Sequence, residues 1–139
     1  MSVPREEILK KVRQWFRYAQ DDLSVARMIA NDSDAPQRIA AYHAQQATEK
    51  ALKAWLIYKE VDFPFTHDLS LLLSNCEKNG AHWSDGLSAI VRLGEYATTT
   101  RYPDFELLVT SEQANEAIEL ATSTVNTVQS ALKNEGLEL

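Results

Sequence analysis

Tyr42-His43-Ala44-Gln45-Gln46-Ala47-Thr48-Glu49-Lys50-Ala51-Leu52-Lys53-Ala54 holds the pattern that decides the fold. The stretch has neither glycine nor proline, and with Ala40 ahead of it alanine recurs at 40, 44, 47, 51 and 54. A period of three to four is that of an α-helix, and alanine is its best former. The helix should run from about Pro36 to Glu60, with Tyr42, Trp55 and Tyr58 as its bulk. Small residues give thin packing surfaces. A helix made only for packing would carry Leu or Ile at several of these positions. Instead His43, Ala47, Lys50 and Ala54 share one face, and Gln46, Lys50 and Lys53 share an adjoining one.

Upstream, Ile8, Val12, Trp15, Ala19, Leu23, Ala26 and Ala30 predict a first helix that starts near Pro4. Asn31-Asp32-Ser33-Asp34-Ala35-Pro36 is dense in turn formers and should end it. Downstream, Val61-Asp62-Phe63-Pro64-Phe65 reads as an extended connector. Thr66 is the expected N-cap of a short third helix, with Asp68 in its first turn and Gly80 as its stop. Ser84 should cap a fourth helix with Leu87, Ile90, Val91, Leu93 and Tyr96 on its stripe, ending before Pro103. Thr110-Ser111-Glu112-Gln113 has the form of a capping box and opens a fifth helix along Ala114, Ala117, Ile118, Ala121, Val125, Val128 and Leu132. The expected architecture is all-α: an up-and-down four-helix bundle with one additional short helix. Residues 1–139 should form one domain whose tail frays from about residue 134.

The chain has 139 residues, and its 20 acidic and 14 basic side chains give a net charge of −6. No apolar run reaches the roughly 18–20 residues that cross a bilayer, and the charged start argues against a signal peptide. The cytoplasm is the expected compartment. The lone Cys76, in a leucine-rich helix, should be buried and inert. Three scattered histidines predict no metal site, and no cofactor is expected. Charge is uneven: residues 1–60 hold ten basic and eight acidic groups, and residues 61–139 hold four and twelve. Helix five and the tail set Lys133 against Glu112, Glu116, Glu119, Glu135 and Glu138. Any anion site should therefore lie on helix two together with Arg101.

Candidate chemistry is confined to three segments. His43 could serve as an acid or base, or donate to a carbonyl on a neighbouring helix. Glu49 and Lys53 could form an ordinary i,i+4 pair worth about 0.3–0.5 kcal/mol. In Phe65-Thr66-His67-Asp68-Leu69, His67 could exchange protons near neutrality or pack at the bundle entrance. In Thr98-Thr99-Thr100-Arg101-Tyr102-Pro103-Asp104, Arg101 could grip phosphate while Tyr102 stacks a base, or Arg101 could cap carbonyls or pair with Asp104. The candidate catalytic set is His43, His67 and Arg101. The candidate phosphate-binding set is Gln46, Lys50, Lys53, Arg101 and Tyr102. Thr66, Asp68 and Asp104 are candidates for capping. No Walker loop or Gly-x-Ser-x-Gly is present.

Those three segments, with Trp15 and Ala19-x-x-Asp22-Leu23-x-x-Ala26 ahead of them, resemble the prokaryotic HEPN domain over residues 10 to 130 or so. The resemblance implies an α-helical bundle, usually a homodimer, often encoded beside a minimal nucleotidyltransferase in toxin–antitoxin-type pairs. Active RNases of that family use an Arg followed four to six residues on by a His, in a later helix. Here Arg92-Leu93-Gly94-Glu95-Tyr96-Ala97 and the run to Arg101-Tyr102 contain no His, while Arg38 and His43 meet the spacing in an earlier helix. Related systems also suggest Tyr96 or Tyr102 as an acceptor of a nucleotidyl group. Three functions follow as expectations: a module that binds a nucleotide or RNA phosphate beside a nucleotidyltransferase, a metal-independent RNase toxin using His and Arg, or a helical dimerisation adaptor.

Overall fold

A computed structural model describes residues 4–99 and 108–139. Arg101, Tyr102 and Asp104 lie outside these residues. The described chain is helical: α1 (Arg5–Ala30), α2 (Gln37–Tyr58), α3 (Leu69–Lys78), α4 (Ser84–Leu87), a 3-10 segment (Ser88–Glu95), α5 (Tyr96–Thr99) and α6 (Ser111–Asn134).

α2 is the axis of the bundle. Ala40, Ala41, Ala44, Ala47, Ala51 and Ala54 have no exposed surface, and Leu52, Trp55 and Leu56 are buried among them. Its small side chains let α1 pack closely on one side and α6 on another, while α3 and the segments after it cover the rest. α1 buries Ile8, Val12, Phe16, Ala19, Leu23 and Ala26. Phe16, rather than the expected Trp15, takes the core position, since either fits a three-to-four spacing and Trp15 is left at the rim. Thr110 and Gln113 form the expected capping box at the start of α6, each side chain accepting the other's backbone N–H, at 3.1 and 2.9 Å. Among the described residues no helix is long and apolar enough to cross a membrane.

Three local outcomes differ from the expectation. Asp68, not Thr66, is the N-cap of α3: its carboxylate accepts from the Leu71 N–H at 3.2 Å, and Thr66 instead accepts from the Asp68 N–H at 3.0 Å. The fourth long helix is split into α4, the 3-10 segment and α5, and it begins at Ser84 itself. Leu87, Ile90, Leu93 and Tyr96 are buried at a strict spacing of three, the period of a 3-10 helix, while Val91 faces solvent. An α-helix would turn that row progressively out of the core.

The tail beyond Asn134 is docked where fraying was expected. Gly136 adopts φ +97, and the Leu137 N–H donates to the Leu132 carbonyl at 3.0 Å, closing α6 in a Schellman turn. Leu137 is buried, Arg13 Nε donates to the Glu138 carbonyl at 2.9 Å, and Lys59 pairs with Glu135 at 2.7 Å.

Candidate functional site

Asp22 on α1 and Glu49 on α2 each gather one histidine and one lysine. The Asp22 carboxylate faces the α2 residues His43 and Lys50, which are separated by seven residues and so by about two turns. His43 Nδ1 lies 2.9 Å from Oδ1, and Lys50 Nζ donates to Oδ2 at 2.5 Å. Both side chains keep about a quarter of their surface exposed, 27% and 26%. A carboxylate can only accept, so Nδ1 carries the hydrogen and the ring orientation is fixed. Among the described residues, Nε2 of His43 has no hydrogen-bond partner. Lys50 also lines a cavity of about 270 Å³ with Gln14, Trp15 and Tyr18.

Glu49 is the deeper centre. Its Oε1 lies 2.7 Å from His67 Nδ1 and accepts from Gln45 Nε2 at 3.2 Å, while Oε2 accepts from Lys53 Nζ at 3.2 Å. Gln46 donates to Gln45 at 2.6 Å and extends the chain of bonds along α2. Glu49 and Lys53 side chains are each 4% exposed, so this is not the solvated i,i+4 pair expected from spacing alone. The Lys53 ammonium sits 5.6–5.7 Å from the ring centres of Trp15, Phe63 and Phe65. Aromatic faces attract a cation, and here they surround one already neutralised by a carboxylate. A phosphate would reach Lys53 only by displacing rings or Glu49.

The candidate residues thus divide between two centres. His43 and Lys50 meet at Asp22, and His67, Lys53 and, through Gln45, Gln46 meet at Glu49. Thr66 and Asp68 shape the start of α3. Asp22 and Glu49 were missed as organising groups. The available signals were an acid beside the α1 stripe at Asp22-Leu23, and an acid at Glu49 with alanine two residues away on either side, at Ala47 and Ala51.

Three further groups have settled environments. Burial and the neighbouring Glu77 push the Cys76 thiol up to about 12, and its Sγ lies 3.7 Å from the Leu52 carbonyl. The thiol stays protonated. Tyr96 is buried; desolvation and then Glu95 and Glu116 raise its phenol above the ordinary value, against Arg92. His82 is exposed. Among the described residues no group of three or more His, Cys, Asp or Glu could hold a metal ion.

The HEPN domain family model matches residues 12–131. A curated protein of Methanocaldococcus jannaschii named "Putative toxin MJ1304" is 28% identical over 142 residues, covering 91% of each chain. The crystal structure of TT1696 from Thermus thermophilus superposes with a TM-score of 0.74 at 27% identity, over 86% of this chain and 97% of that one. ST0689, an archaeal HEPN homologue, gives a TM-score of 0.70 at 27% identity, over 87% and 97%.

Proposed function

Since the chain belongs to the HEPN domain family, we propose that it is the HEPN module of a toxin–antitoxin-type pair that takes a nucleotide or RNA phosphate on α2. Its protein partners in this reading are a minimal nucleotidyltransferase and a second copy of itself. The toxin context is supported by the name of the archaeal relative.

One observation carries the reading: Asp22 holds a half-buried imidazole and a half-buried ammonium on its two oxygens. Lys50 supplies positive charge for a phosphate, and its cavity contains Trp15, a built-in reporter. Tryptophan fluorescence is therefore the test. Added ATP or short RNA should give a saturable change that is weakened at least tenfold in Lys50→Ala. No saturable change, or an equal affinity in the variant, refutes phosphate binding at this face.

The same observation favours a second reading, a metal-independent RNase. With Nδ1 held by Asp22, Nε2 of His43 is the atom that would take the proton of a ribose 2′-OH as its oxygen bonds to phosphorus and the 5′-oxygen leaves with a proton from water, and Lys50 would face the charge that develops on the phosphoryl oxygens. RNA cleavage should then persist in EDTA and disappear in His43→Ala. Cleavage that is unchanged in that variant belongs to a contaminant.

A further inference from the structure

Among the described residues some cations face a carboxylate and others do not. Arg5, Lys50, Lys53, Lys59 and Arg92 each face a carboxylate. Lys10, Arg13 and Arg17 are among those that make no such pair. These three lie on α1 three and four residues apart, hence on one stripe, spanning about 10 Å. Among the described residues Lys10 and Arg17 have no ion-pair or hydrogen-bond partner, and the nearby α1 carboxylates Glu6, Glu7 and Asp21 make no pair with them. Arg13 uses only Nε, on the Glu138 carbonyl at 2.9 Å, which fixes its plane and leaves both Nη groups unused.

The three cations line one cleft of about 450 Å³, together with Gln14, Phe16, Gln20, Gln129 and Leu139, and no Asp or Glu side chain lines it. Gln14 is at the same time a wall of the 270 Å³ cavity formed with Trp15, Tyr18 and Lys50. The two cavities are therefore neighbours on α1. The Tyr18 ring beside this junction is 58% exposed.

The geometry points to single-stranded RNA as the ligand of this track, with consecutive phosphates along Lys10, Arg13 and Arg17 and a base on the Tyr18 ring beside Lys50. Cations not paired with a carboxylate are what a polyanion needs, because each neutralised phosphate releases counterions. A row of three over about 10 Å suits a run of phosphates, since a lone phosphate meets one or two of them. An exposed ring next to a cationic groove is the usual means of holding unpaired bases without reading their sequence. The first cleft has no exposed aromatic side chain on its wall, so it holds backbone, and the second holds a base. The inference rests on the reading above in one respect: the strand leads to Lys50 and so to the Asp22 centre.

Fluorescence polarisation of a fluorescein-labelled single-stranded 12-mer RNA tests it. The wild-type protein should bind with a log–log salt slope near −2, from about 0.7 per phosphate neutralised by three cations. Lys10→Ala/Arg13→Ala/Arg17→Ala should weaken binding at least tenfold at low salt and flatten the slope towards zero. Tyr18→Ala should weaken it about fivefold or more through lost stacking. Arg92→Ala, whose cation is paired with Glu116, should bind as wild type. All four track residues are exposed helix positions, so alanine keeps the fold, as circular dichroism would verify. A triple variant that binds within twofold of wild type, or a wild-type protein that ignores the RNA at low salt, overturns the track. ATP competing as well as RNA places a free polyphosphate in the cleft and overturns the strand. If Lys50→Ala leaves the tryptophan signal unchanged while the triple variant loses RNA, the α2 reading falls and the α1 track stands.

Discussion

Replacing Glu49 by Gln isolates the electrostatics of the deeper centre. The amide keeps the shape and one acceptor oxygen for His67, and removes only the negative charge. Lys53, 4% exposed, is then left as a buried ammonium facing three aromatic rings and no carboxylate. Breaking a buried ion pair from one side costs about 3–5 kcal/mol. The rings retain part of the attraction, about 0.5–1 kcal/mol for each well-placed one, so the lower end, about 3 kcal/mol, is expected. A domain of this size has a total stability of about 5–15 kcal/mol, so the variant should fold with its melting temperature lowered by about 10 °C. Urea denaturation followed by circular dichroism gives the free energy directly, and the slope m should not change. Adding Lys53→Met to Glu49→Gln should recover most of the loss, because no unpaired charge then remains. A Glu49→Gln variant within about 0.5 kcal/mol of wild type would match an exposed i,i+4 pair and refute the buried-centre argument.

Other variants probe separate features. Thr110→Ala removes half of the capping box and should cost about 1 kcal/mol in urea denaturation. Gly136→Ala puts a side chain at φ +97 and should cost about 1 kcal/mol, with faster amide exchange at Leu137. Cys76 should resist iodoacetamide at pH 8 in the native protein and react in urea. Because its folded value is raised from 9.0 to about 12, the unfolded chain gives up the thiol proton first. Stability should therefore fall as pH rises above about 9, by up to about 1.4 kcal/mol per unit, and Cys76→Ala should lack that component.

The long helices were legible because their signals are local. Alanine spacing marks α2, the capping box marks α6, and the turn formers after Ala30 mark the end of α1. The break in the fourth helix was present as the three-residue spacing of Leu87, Ile90, Leu93 and Tyr96, but four such positions also satisfy a loose three-to-four pattern. Trp15 and Phe16 are neighbours, and one-dimensional periodicity does not choose between them. His43 and Lys50 stood out as polar groups on a small-residue helix. Their common partner Asp22 is 21 and 28 residues away and is set by how α1 packs on α2. Glu49 and Lys53 looked like a solvated pair because spacing carries no information on burial. Charge arithmetic counts lysines on helix two and carries no information on their partners, so it did not distinguish the half-exposed Lys50 from Lys53, which is enclosed with Glu49.

The 3-10 segment makes this part of the chain sensitive to its own numbering. With three residues per turn, every residue added or removed rotates all that follows by about a third of a turn. Leu93 and Tyr96 would then leave the core together, and Val91 or Arg92 would enter it. A change of three residues restores the faces and alters only the length, by about 6 Å. This stretch should therefore accept insertions and deletions in triplets and reject them singly, whereas the polar connection between Ala30 and Gln37 has no such arithmetic.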